Sequence, residues 1–299
     1  MIAHIFPGQG SQYVGMAKEL RASSAAMQLM MEEADDLLGM NLSKTMLEGP
    51  EDELRQTDIT QPAIFLHSMM AWRFDEDRKQ PDAVAGHSLG EYMALCAANA
   101  LNFADGLRLV RLRGQLMAEA GKRSEGTMAA IIGMDAPVLT ALCTDVEKEL
   151  NAIVRPANFN SPGQIVISGS LTGVREAMRR AKDAGIRIVK ELPVSGAFHS
   201  PLMQYAADGL REALASTGLR APEMPVFANV TAEPVTDPHE IRSLLVQQLT
   251  APVRWEESVR NMYDFGIREF IEYGPGKVLQ GLVSRTVKDV AVRGVEKPS

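Results

Sequence analysis

A serine between two glycines, at the point where an apolar run meets a helical pattern, constrains this chain more than any other feature. In residues 82–101, DAVAGHSLGEYMALCAANAL, Ser88 lies between Gly86 and Gly90. The apolar run predicts a buried strand, and the residues after the serine predict a helix. A sharp strand-to-helix turn needs small residues on both sides of the serine and exposes its hydroxyl at the helix N-terminus. The stretch therefore predicts an α/β fold, with Ser88 as either a nucleophile or a helix cap.

The order of the other patterns divides the chain into a large unit and a small inserted one. Residues 2–6 predict a first strand, which runs into the glycine-rich turn PGQGSQ and then an amphipathic helix. From about residue 124 the patterns follow the order β-α-β-β-α-β, and PVFANV and IREFIEYGPG then resume the strands of the large unit. We expect an α/β-hydrolase-like domain of residues 1–123 and 196–299, with a parallel sheet and a nucleophile elbow, and a small ferredoxin-like subdomain of residues 124–195.

Composition and charge exclude several classes of protein. The 299 residues are 45% hydrophobic and 23% charged, which suits a soluble globular enzyme. A net charge of −7 lacks the basic footprint of a nucleic-acid binder. Because the chain shows no signal-peptide pattern and no apolar run approaching about eighteen residues, we expect a cytoplasmic protein with no membrane partner. Cys96 and Cys143 lack the paired spacing of a metal or redox site, so we expect both to be buried and inert.

A nucleophilic serine needs a base, and the chain offers five histidines. Three lie where structural roles are favoured: His4 in the first strand, His67 in an apolar helical stretch and His239 in a polar loop. His87 is adjacent to Ser88, and consecutive side chains diverge, so we expect it to support the elbow. His199, in SGAFHSPLM, is predicted to end a strand before a helix that begins with proline, where a loop can present a catalytic group. A capping role for His199 stays open at this point.

Three arginines in GLRLVRLRGQLM lie on one predicted helix: Arg108, Arg111 and Arg113. Spacings of two and five residues lie well apart around a helix, so the three cannot all face the same way. At least one must point toward the protein interior. A buried arginine needs a carboxylate partner, which either the protein or a ligand supplies.

Seven short strings resemble, in order, the malonyl-CoA:acyl carrier protein transacylase family: FPGQGSQ, GHSLGE, RLRGQLM, NFNSPGQIVISG, GAFHSPLM, QQLTAPVRW and GPGKVL. The resemblance runs from residue 5 to about residue 283 and includes the small unit. It implies an acyltransferase that moves malonyl from malonyl-CoA to the phosphopantetheine thiol of holo acyl carrier protein, for fatty-acid or polyketide synthesis. We expect a monomer that uses neither a metal nor a cofactor. One local departure is Gly196, where other members carry a histidine or another residue.

The resemblance also implies catalytic roles for the matching residues. Ser88 corresponds to the nucleophile of a ping-pong reaction and His199 to its base. Gln9 and Leu89 correspond to the oxyanion donors, through their backbone N–H groups. The histidine is oriented in this family by a backbone carbonyl, which here belongs to Gln248. The site is therefore expected to be a Ser-His dyad that needs no acidic residue, unlike the triads of hydrolases.

Substrate selection follows from the same resemblance. Arg113 corresponds to the residue that binds the free malonyl carboxylate, a task that suits a planar cation with two parallel donors. Phe198 and Leu89 match residues that accompany malonyl, where smaller or polar residues accompany methylmalonyl. The bulk of Phe198 would occupy the space that an α-methyl group needs. We therefore expect malonyl to be preferred.

The expected carrier protein is usually acidic, and this chain is acidic too, so a local basic face is needed. One candidate is the basic cluster of the small unit: Arg179, Arg180, Lys182 and Arg187. These residues could steer the carrier toward the cleft. A solvated helix face explains the same cluster without any partner.

Three alternatives to the transacylase remain at this point. A serine hydrolase would use Asp183 or Glu191 as the acid of a triad. A nucleotide-binding module would use PGQGSQYVG, but Tyr13 stands where the third glycine belongs, and GPGKVL lacks the Walker spacing. A non-catalytic acyl-binding relative conflicts with the presence of Ser88, His199 and Arg113.

Overall fold

The computed structural model describes residues 1–298, which form two sheets surrounded by helices. The strands are β1 (Ile2–Phe6), β2 (Ala83–Gly86), β3 (Gly126–Ile132), β4 (Val154–Ser161), β5 (Gln164–Ser170), β6 (Ile188–Glu191), β7 (Val226–Phe227), β8 (Pro234–Val235), β9 (Glu269–Tyr273) and β10 (Ala291–Val295). The helices are α1 (Lys18–Ser23), α2 (Ala25–Leu38), α3 (Leu42–Glu48), α4 (Glu51–Leu54), α5 (Thr57–Phe74), α6 (Gly90–Ala97), α7 (Phe103–Arg123), α8 (Ala136–Leu150), α9 (Leu171–Asp183), α10 (Gln204–Ser216), α11 (Pro238–Gln247), α12 (Trp255–Phe265) and α13 (Val278–Thr286).

The main sheet has the strand order β10-β9-β1-β2-β7-β8. Its strands are parallel except β8, which pairs antiparallel with β7. Phe6 at the end of β1 pairs with Gly86 at the end of β2. The loops that follow these two strands therefore leave the sheet side by side, and such carboxyl ends are where open α/β sheets bind ligands.

Both faces of the main sheet are covered, because successive strand residues point to opposite sides. Phe6 and Val84 face a core built largely from α2, α5, α6, α7 and α10. Ile5 and Ala85 face a second core, which contains Trp255 and other apolar residues of α12 and α13. This arrangement gives three layers and a buried β1–β2 pair. No helix within residues 1–298 is both long and apolar enough to span a membrane.

The second sheet is antiparallel and has the order β4-β5-β3-β6. Its elements follow one another as β3-α8-β4-β5-α9-β6, the order predicted from the sequence. Ala129 and Ile167, on one face, pack against α8 and α9 in a separate core. Met128 and Val166, on the other face, join the large core. The Phe159 N–H donates to the Val253 carbonyl at 2.9 Å, which links β4 to the segment before α12.

Several predicted boundaries differ from the structure. His199, predicted to end a strand, lies in a loop, because the preceding strand β6 already ends at Glu191; a single 3₁₀ turn at Pro201–Met203 follows it. The predicted strand PVFANV is regular over only two residues, Val226–Phe227. The main sheet, predicted to be parallel, carries one antiparallel edge strand, β8. Short edge strands have few pattern positions, and tertiary pairing sets their ends.

Candidate active site

Ser88 lies in the tight turn between β2 and α6. Its φ of 53° is in the left-handed region, which non-glycine residues rarely adopt. A Cβ atom at Gly86 would lie 1.9 Å from the Gly90 carbonyl carbon, and one at Gly90 would lie 2.1 Å from the Phe6 carbonyl oxygen. Both glycines are therefore required by close backbone approaches, as the spacing predicts.

The Gly86→Ala substitution is expected to destabilise the fold by about 3 kcal/mol, because the new methyl group meets backbone that cannot move aside. Urea unfolding measures this change. Gly218→Ala is a matched control, since a Cβ atom there meets nothing within 4 Å. Equal stability of the two variants would contradict the packing explanation.

His199 connects the serine to a backbone carbonyl. The Ser88 hydroxyl lies 2.8 Å from His199 Nε2, and His199 Nδ1 donates to the Gln248 carbonyl oxygen at 2.7 Å. This second bond places the proton on Nδ1 and leaves the Nε2 lone pair facing the serine. Burial and the nearby Arg113 charge lower the pKa of His199 to about 3, so the ring is neutral near pH 7. A neutral imidazole in this position can accept a proton from Ser88.

The acids considered for a hydrolase triad lie elsewhere. Asp183 pairs with Arg179, and Glu191 pairs with Arg175. Neither carboxylate contacts His199 within residues 1–298, and the Gln248 carbonyl occupies the ring nitrogen that a triad acid would bind. The geometry therefore favours a dyad over a triad.

Of the three arginines on α7, one points inward, as predicted. Arg108 is exposed, and Arg111 is partly buried and pairs with Asp58 at 2.8 Å. Arg113 is only 1% exposed. Its Nη2 donates to Ser88 Oγ at 3.0 Å and to Gln248 Oε1 at 2.9 Å, and its Nη1 donates to Gln61 Oε1 at 2.9 Å.

Arg113 has neutral partners only. No carboxylate within residues 1–298 lies within salt-bridge distance of its guanidinium, and its Nε is buried without a hydrogen-bond partner. Burial lowers its pKa, although an arginine side chain stays charged at any ordinary pH. A buried cation without a carboxylate is costly unless a ligand supplies the negative charge. The side chain can therefore receive an anionic group beside the Ser88 hydroxyl.

A cavity of about 300 Å³ opens at this point, between the carboxyl ends of β1 and β2 and the small sheet. Six of the seven residues predicted to take part in catalysis or substrate selection line it: Gln9, Ser88, Leu89, Arg113, Phe198 and His199. Gln248, the seventh, is fully buried beside it. The backbone N–H groups of Gln9 and Leu89 donate to no acceptor within residues 1–298, so both are free to bind an oxyanion. Apolar side chains, among them Met128, Val166 and Leu282, form most of the remaining wall.

Two of the other histidines, His87 and His4, have packing and hydrogen-bond partners, and both cysteines are buried as predicted. His87 Nε2 lies 2.8 Å from Asn160 Oδ1, and the ring packs against Trp255. His4 Nδ1 accepts a hydrogen bond from Trp72 within the core. Cys96 and Cys143 are both buried, and burial raises the pKa of each thiol.

Three polar residues around the site were missed by the sequence analysis: Gln61, Glu91 and Asn229. Asn229 clamps the elbow, since its Oδ1 accepts from the Ser88 N–H at 2.6 Å and its Nδ2 donates to the Gly86 carbonyl at 2.7 Å. Glu91 accepts hydrogen bonds from Asn229 and Gln248. The available signal was a polar residue within an apolar stretch, such as Glu91 in GHSLGEYMAL. Its partners are distant in the sequence.

Comparison with known proteins points to one family. Residues 3–297 match the acyl transferase domain family. The chain is similar to a malonyl CoA-acyl carrier protein transacylase of Bacillus subtilis, at 46% identity over 99% of this chain and 94% of the relative. It is also similar to one of Escherichia coli, at 42% identity over 99% and 96%.

Solved structures lead to the same family. An acyl carrier protein S-malonyltransferase from Vibrio cholerae superposes with a TM-score of 0.95 at 42% identity, covering 99% of this chain and 97% of the other. A malonyl-transacylase solved in complex with a type II PKS acyl-carrier protein superposes with a TM-score of 0.95 at 40% identity, covering 99% and 96%. The chain therefore belongs to the malonyl CoA-acyl carrier protein transacylase family.

Proposed function

We propose that this protein transfers malonyl from malonyl-CoA to the phosphopantetheine thiol of an acyl carrier protein, through a malonyl ester on Ser88. The observation that carries the proposal is Arg113, a buried cation that contacts the Ser88 hydroxyl and has no carboxylate partner within residues 1–298. An acyl group with a free carboxylate would give the guanidinium a direct anionic partner. The names of the similar proteins support the same substrate and acceptor.

In the first half-reaction, Ser88 Oγ attacks the thioester carbonyl carbon of malonyl-CoA while its proton passes to His199 Nε2. The carbon–sulfur bond then breaks, and the CoA thiolate takes that proton from His199. In the second half-reaction, the carrier thiol gives its proton to His199 and its sulfur attacks the ester carbon. The carbon–oxygen bond to Ser88 breaks as the proton returns to Oγ. The bond of His199 Nδ1 to the Gln248 carbonyl supports this role, because it keeps Nε2 as the reactive nitrogen in both directions.

The positions of Leu89 and Gln9 support their assignment as oxyanion donors. Leu89 lies at the N-terminus of α6, where the helix dipole favours negative charge. Gln9 belongs to the turn after β1, which adjoins β2. A tetrahedral oxyanion beside Ser88 would receive N–H groups from the two loops. The Ser88 N–H itself is committed to Asn229 and is not a third donor.

Arg113 is suited to hold the malonyl carboxylate in a bidentate way. The oxygens of Gln61 and Gln248 each accept one N–H from its two terminal nitrogens. Each of the two nitrogens has one further N–H that can bind a carboxylate oxygen. For Nη2, a bond to the ligand would replace its bond to Ser88. This geometry would select a carboxylated acyl group and fix its carbonyl carbon at Ser88.

Phe198 is 6% exposed at the cavity wall next to His199, and we propose that it excludes an α-methyl group. We expect malonyl-CoA to be preferred over methylmalonyl-CoA, and Phe198→Ala to raise the relative kcat/KM for methylmalonyl about tenfold. Steady-state kinetics with both thioesters measures the ratio. Phe265→Ala, at an exposed residue outside the cavity, should leave it unchanged. Comparable kcat/KM values for the two thioesters with the unmodified protein would refute the assignment.

Carboxylates pair with part of the basic cluster of the small unit, so its predicted role in steering the carrier is revised. Arg179 pairs with Glu176 and Asp183, and Arg180 pairs with Glu176 and Glu149, so carboxylates offset both charges. These two arginines fit a solvated helix face. The two remaining residues of the cluster, Lys182 and Arg187, form no salt bridge within residues 1–298. The hypothesis that the cluster steers the carrier protein toward the cleft therefore rests on these two residues.

We also propose the finer fold description. Residues 1–123 and 196–299 would form the α/β-hydrolase-like domain, supported by the parallel strands around the elbow. Residues 124–195 would form the ferredoxin-like subdomain, supported by the order β4-β5-β3-β6 with antiparallel neighbours throughout. The cytoplasmic location and the monomeric state stay predictions.

Intact-mass measurement tests the proposed function in two steps. Mixing the protein with malonyl-CoA should add the mass of one malonyl group, and peptide mapping should place it on the peptide containing Ser88. Adding holo acyl carrier protein should then remove that mass and add it to the carrier. Free malonate without carrier acylation would indicate a hydrolase instead, and no adduct with any acyl-CoA would contradict an acyl-serine mechanism.

A further inference from the structure

A buried carboxylate next to the site has no part in the steps described above. Glu91, in the first turn of α6, is 2% exposed and forms no salt bridge within residues 1–298. Burial raises its pKa to about 7, so holding its charge has a cost. Hydrogen bonds from Asn229 and Gln248 and the nearby Arg113 charge act in the opposite direction on this pKa, so the carboxylate form depends on these neighbours.

Glu91 Oε2 accepts two hydrogen bonds from residues that hold the reacting groups. The backbone N–H of Asn229 donates to it at 3.0 Å, and Gln248 Nε2 donates at 2.9 Å. Asn229 clamps the turn around Ser88. Gln248 holds Arg113 through its side chain and His199 through its backbone. Glu91 therefore connects an elbow branch, through Asn229, with a guanidinium branch, through Gln248.

The guanidinium branch depends on the orientation of the Gln248 amide. In the observed orientation Oε1 accepts from Arg113, while Nε2 donates to Glu91 and, at 3.0 Å, to the Ser88 carbonyl. The reversed orientation would place an NH₂ group against the guanidinium, donor against donor. It would also place Oε1 against two acceptors. The ionised Glu91 carboxylate offers acceptors only, as does the Ser88 carbonyl, so both disfavour the reversed orientation.

We propose that Glu91 is a positioning residue: through the side-chain amide of Gln248 it holds the Arg113 guanidinium in place for an acyl group that bears a carboxylate. The proposal rests on the proposed function, because it assumes that Arg113 binds the malonyl carboxylate. The elbow branch acts on Ser88 and affects every acyl group alike. The guanidinium branch also reaches Ser88 through Arg113 Nη2, but only malonyl brings a carboxylate to the guanidinium, so a change in the ratio of malonyl to acetyl loading reports carboxylate binding.

The test compares rates of Ser88 acylation by malonyl-CoA and by acetyl-CoA, followed by quenched intact-mass measurement. Glu91→Leu has a similar shape but no acceptor, and we expect it to lower the malonyl-to-acetyl ratio about thirtyfold, since it removes a hydrogen bond to a charged group. In Glu91→Gln, the new amide can face Gln248 with its oxygen, which accepts a hydrogen bond, or with its NH₂ group, which donates one. We expect this variant to lower the ratio about threefold. Glu272→Gln is the matched control, because Glu272 is also buried and accepts hydrogen bonds from α13 rather than from Gln248. It should leave the ratio unchanged.

Each outcome decides the proposal. A graded fall in the ratio, larger for leucine than for glutamine, supports the positioning role. Equal loss of both rates in Glu91→Leu would show a purely structural residue and overturn it. If Glu91→Leu does not fold, the ratio in Glu91→Gln decides: a fall supports the proposal and an unchanged ratio overturns it. Failure of the unmodified protein to load malonyl would instead contradict the proposed function, so the two failures are distinguishable.

Discussion

Replacing Ser88 with alanine is expected to abolish acylation by malonyl-CoA and to lower carrier malonylation by about ten thousandfold or more. Removing Oγ leaves His199 Nε2 and Arg113 Nη2 in place but without an atom that can attack the thioester. His199→Ala should lose nearly as much, since residues that act as a unit show strongly non-additive losses. Single-turnover measurement of the acyl-enzyme, followed by carrier acylation, checks both variants.

Ser168→Ala is the matched control for this experiment. Ser168 is a buried serine on β5 whose hydroxyl has no hydrogen-bond partner within residues 1–298. Its loss should leave both half-reactions intact. A malonyl adduct that persists in Ser88→Ala would refute the nucleophile assignment, whichever residue carried it.

Replacing Arg113 with alanine is expected to reduce malonyl transfer by about 3 kcal/mol, or roughly a hundredfold, relative to acetyl transfer. A malonyl carboxylate would then be buried without its cation, whereas an acetyl group has no charge to lose. Arg113→Lys should recover only part of the difference, because an ammonium group cannot form two parallel hydrogen bonds with a carboxylate. Steady-state kcat/KM values for malonyl-CoA and acetyl-CoA measure the ratio.

Arg108→Ala serves as the control, since Arg108 lies on the same helix but faces solvent. It should leave the ratio of the two kcat/KM values unchanged. Equal losses for malonyl and acetyl in Arg113→Ala would contradict carboxylate recognition. Such a result would leave Arg113 with a supporting role at Ser88 through the bond from its Nη2.

The parts of the site that were predictable depend on local spacing. Gly86 and Gly90 flank the serine at fixed intervals, and the clashes that a Cβ atom would make at each explain why. The inward orientation of one arginine on α7 follows from helix geometry alone, because three arginines at these intervals cannot share a face. Element types and order in the small unit were confirmed for the same reason, since each strand or helix carries its own period.

The parts that escaped prediction depend on contacts between distant residues. Glu91 bonds to Asn229 and Gln248, which lie 138 and 157 positions further along the chain. No periodicity connects such residues. Similarly, β8 has two residues and is stabilised by pairing with β7, so its own sequence carries little information. The pairing of Arg179 and Arg180 with carboxylates likewise needed three dimensions, since Glu149 lies 31 positions from Arg180.

Residues of both the large unit and the small sheet line the cavity, but they contribute different kinds of group. The groups proposed to react or to bind charge lie on segments of the large unit, whereas Met128 and Val166 come from β3 and β5 of the small sheet. The side chains of these two residues form none of the hydrogen bonds that join Ser88, His199 and Arg113. Substitution of Met128 or Val166 would therefore reshape the cavity wall without removing any of these hydrogen bonds. The shape of the cavity and the hydrogen-bonded groups beside Ser88 therefore depend on different parts of this chain.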